Sequence, residues 1–188
     1  MKKITNQRGA TLIEIMVSIL VMAIGLLGLA SLQINAMKFQ KTSSQRSEAT
    51  QAAADLGERM RSNWRVTTKD ATAQTMTADR NANQANYTYA EQYLTSSVAS
   101  HVPPNNCKTA NCNESQIAAN DKKIWAGELQ RRLVGGAGFV VPVAGTTYPT
   151  FIITVMWRET TFDELDPSCP EEAKAPVGVR CYNLNYTI

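Results

Sequence analysis

Residues 10–32, ATLIEIMVSILVMAIGLLGLASL, form a run of 23 apolar or small positions broken by one charge, Glu14. A bilayer's hydrocarbon core takes about 20 helical residues to cross. A helix this apolar on every side is stable only in lipid or among other helices. The run therefore excludes a plain globular chain. It also sets a problem, because a carboxylate at the centre of a membrane span costs about 2.5–3.5 kcal/mol. A chain that keeps Glu14 there needs a partner for it.

What flanks the run narrows the choice further. Lys2, Lys3 and Arg8 precede it, so the positive-inside rule predicts a cytoplasmic N-terminus and export of the rest. A secretory signal peptide carries a shorter apolar region and a small-residue cleavage site after it. Here the small pair Gly9-Ala10 comes before it. The net charge of +3 belongs to this leader, since the side chains beyond residue 9 balance at sixteen of each sign. That balance argues against a nucleic-acid role. Hydrophobic residues make up 44% and charged residues 19% of the 188, which excludes both a disordered chain and a polytopic membrane protein.

Proline is absent from the first 102 residues. Ala49, Ala52, Ala53, Leu56 and Met60 recur at helical spacing. We therefore expect one helix over 10–62, about 80 Å long at 1.5 Å per residue. Its part at 10–32 is the apolar span, and 33–62 is amphipathic. Gly25 and Gly28 weaken the first part, and they suit either close helix contacts or ordinary membrane-helix composition.

Residues 63–188 read as a globular head, with 63–134 a connecting region containing a helix and 138–188 a sheet and tail. Residues 63–113 show little periodicity, and short elements are expected around Tyr87–Leu94. Asn113 is placed to cap a helix that runs to Val134, buries Ile117, Ile124, Trp125, Leu129 and Leu133, and stops at Gly135-Gly136. Phe139–Val143 reads as a short strand, and Ala144-Gly145-Thr146-Thr147 as a turn. Tyr148–Glu159 alternates, with Phe151, Ile153, Val155 and Trp157 on one face. Val179–Ile188 alternates too, with Tyr182, Leu184, Tyr186 and Ile188 together. The expected fold is α+β, a long N-terminal helix against an antiparallel sheet.

The order Lys2-Lys3, Arg8-Gly9, Ala10-Thr11-Leu12-Ile13-Glu14, then an apolar helix resembles the leader and N-terminus of the type IV pilin family. The resemblance implies a leader at 1–9, cut after Gly9 by a prepilin peptidase, and N-methylation of the new terminus at Ala10. The family usually has phenylalanine there, so Ala10 departs from the pattern. It further implies that Glu14 neutralises the N-terminal amine of a neighbouring subunit in the filament core. Such pairing offsets the desolvation that either charge alone would suffer. Further along, Trp125, Leu129 and Leu133, then Gly135-Gly136-Ala137-Gly138, then Val155-Met156-Trp157 resemble a minor-pilin branch of the family. The likeness covers most of 8–65 and 117–158. It implies partners in other minor pilins, the major pilin and a large tip adhesin, a place in the inner membrane and then the pilus, and roles in pilus assembly, adhesion and twitching motility. A type II secretion pseudopilin shares the same N-terminus, and a DNA-uptake pilin is a further alternative.

Cys107, Cys112, Cys169 and Cys181 all lie on the exported side, where disulfides form. Four cysteines allow three pairings, and we favour Cys107–Cys112 with Cys169–Cys181. Zinc is disfavoured because CxxC spacing is missing and only His101 lies near. One histidine beside Pro103-Pro104 supports no catalytic triad, and we read it as a loop residue. No enzyme activity, cofactor or metal is expected. Gly135-Gly136-Ala137-Gly138 follows a helix where a phosphate loop would open one, so it reads as a helix stop. Arg59, Arg61, Arg65 and Lys69 around Trp64 suggest a single-strand nucleic-acid surface, but Glu58 and Asp70 dilute it, and a solvated helix end is the preferred reading. Asp163, Glu164, Asp166, Glu171 and Glu172 form an acidic loop without EF-hand spacing.

Overall fold

A computed structural model describes residues 11–64, 82–104, 106–107, 109–146 and 148–188. The elements are α1 (Leu12–Asn63), α2 (residues 82–87), α3 (Tyr93–Val98), α4 (Glu114–Arg132), β1 (Ala137–Pro142), β2 (Thr150–Arg158), a 3₁₀ turn (Glu171–Ala173) and β3 (Val179–Thr187). The fold is α+β, a long N-terminal helix followed by a small antiparallel sheet. The chain divides into two compact units, Met1–Ser43 and Ser44–Ile188.

In the first unit, the described residues are the start of α1. None of 11–41 is even half-buried. Its 18-residue window of mean hydropathy 2.5 is long and apolar enough to cross a membrane. A Cβ added at Gly25 or Gly28 meets nothing within 4 Å among the described residues.

In the second unit, the rest of α1 buries Ala49, Ala52, Ala53, Leu56, Gly57, Met60 and Asn63, the i, i+3, i+4 stripe of an amphipathic helix. Ala49, Ala52, Ala53, Leu56 and Met60 share one core with Trp125 and Leu129 of α4 and with Phe151, Ile153, Val155 and Trp157 of β2. Tyr182, Leu184, Tyr186 and Ile188 pack on its margin. The sheet runs β1-β2-β3, all antiparallel, with β2 central. The Trp125 indole Nε1 donates to the Ala52 carbonyl at 2.8 Å, and the rim of its ring lies against Gly138, where a Cβ would come within 2.1 Å of Cζ3. Only glycine fits that position.

Several sequence expectations shift by small amounts. Asn113 caps α4 with a full capping box, its Oδ1 accepting from the Gln116 amide at 2.9 Å while Gln116 Oε1 accepts from the Asn113 amide at 3.0 Å. The helix stops at Arg132, two residues before Val134, because Leu133 turns extended to drop its side chain into the core. Gly135 then takes φ +60°, the left-handed conformation glycine adopts without strain. The expected stripe is corrected at two positions. Ile117 and Ile124 are only half-buried, and Ala118 and Ala126 are the buried neighbours instead. Ile117 and Ile124 border an open groove of about 520 Å³ against Pro103, Pro104 and Cys107. β1 starts at Ala137, two residues earlier than the strand expected at Phe139, and β2 is shorter at both ends than Tyr148–Glu159. The turn between them includes Gly145 at φ +76°; Thr147 lies outside the described residues.

The far face of the sheet is also covered, which the alternation does not show. Tyr93, Ala137, Phe139, Met156, Ala173 and Val179 form a second small core there. Residues 160–178 fold over it, tied down by the Glu159 amide to Gly178 O and the Gly178 amide to Glu164 O.

Candidate functional site

The junction Gly9-Ala10, the expected cleavage site, lies outside the described residues. Glu14 stands in the first turn of that helix, its amide donating to Thr11 O at 3.0 Å. A carboxylate there faces the positive end of the helix dipole. Its side chain is exposed.

Beyond the apolar segment, the structure resolves what each other constellation does. Cys107 is bonded to Cys112 and Cys169 to Cys181, and no cysteine is free. Of the basic set, Arg59 sits among three carboxylates, Asp55 at 2.8 Å, Glu128 at 3.7 Å and Asp121 at 4.0 Å. Arg61 pairs with Glu58 at 3.6 Å and lies over the Tyr186 ring. Trp64 packs edge-on against Phe151. Arg65, Lys69 and Asp70 lie outside the described residues. Arg59 is thus surrounded by carboxylates, Arg61 stays exposed beside Glu58, and Trp64 packs on the core.

Two polar networks organise the head. In one, Tyr87 Oη accepts from Asn63 Nδ2 at 3.0 Å and donates to Asp121 at 2.9 Å, while Asn63 also donates to Glu114 O. Burial, then the Asp121 charge, raises the Tyr87 phenol well above its ordinary range. Burial also raises the Asp121 carboxyl, against the Tyr87 hydrogen bond and the Arg59 charge. The other network holds the acidic loop. Asp166 accepts from the Ser168 and Cys181 amides at 3.0 and 3.1 Å and pairs with Arg180 at 3.7 Å. Burial opposes its ionisation, but these partners win and hold the carboxyl below its ordinary value. Arg180 also meets Glu159 at 3.3 Å and stacks on Phe162 at 3.8 Å. Asp166 is thus a structural clasp.

His101 sits in a loop over Gly127 of α4, where burial and then Lys123 push its imidazole pKa down. Gly135 and Gly136 lie in the turn just beyond α4, and Gly136 passes so close to Leu129 O that a Cβ would clash at 2.1 Å. Among the described residues no group of three or more His, Cys, Asp or Glu is arranged to hold a metal.

One contact escapes sequence reading. Gly57 of α1 receives the Tyr186 ring, and a Cβ there would lie 2.5 Å from Cδ2. The Tyr186 hydroxyl donates to Glu58 at 3.0 Å. The only trace in the sequence is a lone glycine inside a helical pattern, which marks a packing or functional reason without naming the partner.

A family model described as the prokaryotic N-terminal methylation motif matches residues 4–30. No curated protein and no solved structure matches the chain. The matched span takes in Arg8, the Gly9-Ala10 junction, Glu14 and the apolar start of α1. Together with the long helix and small antiparallel sheet, it supports a type IV pilin-like or pseudopilin protein made as a prepilin. The same motif and the exposed apolar helix point to anchoring in a membrane.

Proposed function

We propose that this chain is a minor type IV pilin, most like PilV, which primes pilus assembly and so supports adhesion and twitching motility. It is a structural subunit and the substrate of an enzyme, the prepilin peptidase, which cuts after Gly9 and methylates Ala10. Before assembly it sits in the inner membrane with its N-terminus cytoplasmic and its head periplasmic. In the filament it stands near the tip with other minor pilins, the major pilin and a large tip adhesin. The observation that carries the reading is the methylation motif at 4–30 followed by a helix whose residues 12–41 are exposed and, to residue 32, almost wholly apolar. The tryptophan helix, glycine turn and Val155-Met156-Trp157 strand support the PilV-like branch. A type II secretion pseudopilin is the rival that the motif equally admits. A DNA-uptake role is disfavoured because Arg59 and Arg61 are paired within the fold.

Mass spectrometry of the mature chain tests processing, and Ala10 is expected first, carrying a methyl group. A stable chain starting at Met1 in cells that make the peptidase overturns the pilin reading. Deleting the gene separates the rivals: loss of surface pili supports the minor pilin, and loss of protein secretion with normal pili supports the pseudopilin.

A further inference from the structure

The two edges of the sheet are treated differently. In an antiparallel strand, each residue's N–H and C=O point to the same side, and the side alternates along the chain. On the outer edge of β1, Val140 exchanges both hydrogen bonds with Tyr89, at 2.9 and 2.8 Å, and Pro142 has no N–H to offer. That edge is thus blocked at Val140 and Pro142. On β3, the even-numbered residues face β2, as the bond from Ile188 N to Pro149 O shows. The odd-numbered residues face outward. The Cys181 amide is capped by Asp166. The backbone groups of Asn183, Asn185 and Thr187 have no partner among the described residues.

Natural sheets protect such an edge with charges, proline or a bulge. From Cys181 to Ile188 there is no acidic residue, no basic residue and no proline, and the register with β2 runs without a bulge. The segment also alternates cleanly. Tyr182, Leu184, Tyr186 and Ile188 lie on the side of the main core and stay partly exposed, whereas Asn183, Asn185 and Thr187 are exposed on the other side.

We propose that this edge is a strand-pairing surface, and that its occupant is β3 of a second copy of this chain, antiparallel, about a two-fold axis through Asn185. The pattern is self-complementary about that residue. Asn185 meets its own counterpart and Asn183 meets Thr187, and all three are outward-facing, so each pair exchanges both backbone hydrogen bonds. Leu184 meets Tyr186 and Tyr182 meets Ile188, so the apolar rims of both copies fall on one face. A one-residue slip would set apolar against polar. Since the segment carries no charge, no like charges oppose each other. The contact is isologous and closes at two copies. It does not rest on the pilus reading.

The full chain in detergent, with its disulfides intact, provides the test through residue-resolved amide exchange at several protein concentrations. The amides of Asn183, Asn185 and Thr187 are expected to exchange slowly at high concentration and quickly on dilution, while those of Leu184 and Tyr186, bonded to β2, stay slow throughout. Fast exchange at the three odd positions at every concentration overturns the proposal. The two-fold axis adds a charge test with differently tagged copies. Asn185→Lys alone and Asn185→Asp alone each oppose like charges and should cut co-capture roughly tenfold, whereas mixing the two variants should restore it. Association through α1 alone would leave co-capture unchanged by either variant, and that result also overturns the proposal. Slow Leu184 and Tyr186 amides in each variant show that the sheet itself is intact.

Discussion

Glu14 and Gly57 are each the residue a helix in their surroundings would be expected to avoid. For Glu14 the proposed partner is the N-terminal amine of a neighbouring subunit. If it pairs with a neighbour's amine, its role is in assembly and not in insertion. Glu14→Leu should therefore leave the precursor membrane-bound and cleaved, because a more apolar segment inserts at least as well. Its recovery in sheared filaments and the number of surface pili should both fall sharply, since the amine it would meet stays buried and unpaired. Normal piliation with wild-type recovery rejects the pairing. For Gly57 the partner is the Tyr186 ring. Gly57→Ala adds about 1 kcal/mol of helix propensity but forces the ring aside, an overpacking cost of about 1–3 kcal/mol. Denaturant unfolding should show a net loss of about 1 kcal/mol. In a Tyr186→Ala background the same substitution should instead stabilise. Glu14 is legible in the sequence because its charge contrasts with everything around it. Gly57 is not, because the ring that fills its place comes from a strand 129 residues later.

At the scale of elements, legibility follows how local the cause is. The start of α4 is written in four residues, Asn113 to Gln116, and both halves of the capping box form. Asn113→Ala should lower stability by about 1 kcal/mol, measured by thermal unfolding, whereas Asn113→Asp should retain most of it. The faces of β2 and β3 are legible for the same reason, since alternation is a local property. The half-burial of Ile117 and Ile124 is not local. It depends on how closely Pro103, Pro104, Asn106 and Cys107 approach α4, and they leave a groove. The helices α2 and α3 are too short to show a period. The second core behind the sheet is built by a loop whose acidic composition says nothing about Ala173 and Val179 beneath it.

For the molecule as a whole, the Asp166 clasp ties the 160–178 loop to β3 beside the Cys169–Cys181 bond. Its carboxyl has a depressed pKa in the fold. The stability it contributes is therefore fully present above the unfolded carboxyl value, about 3.9, and is lost as pH falls through the lower folded value. Stability should decline on acidification below about pH 4. Asp166→Asn should lower stability at neutral pH and flatten that acid decline, as denaturant midpoints across pH would show. Equal slopes in both chains would mean that other carboxylates carry the acid sensitivity. The placement of the tryptophans has an optical consequence. Trp64, Trp125 and Trp157 are the only three in the chain, and all lie in the second unit, with Trp125 and Trp157 fully enclosed. Ultraviolet emission from this protein therefore comes wholly from the head. It will shift to the red when that core opens, and it stays silent about whatever surrounds the apolar start of α1, be it detergent, lipid or a neighbouring helix.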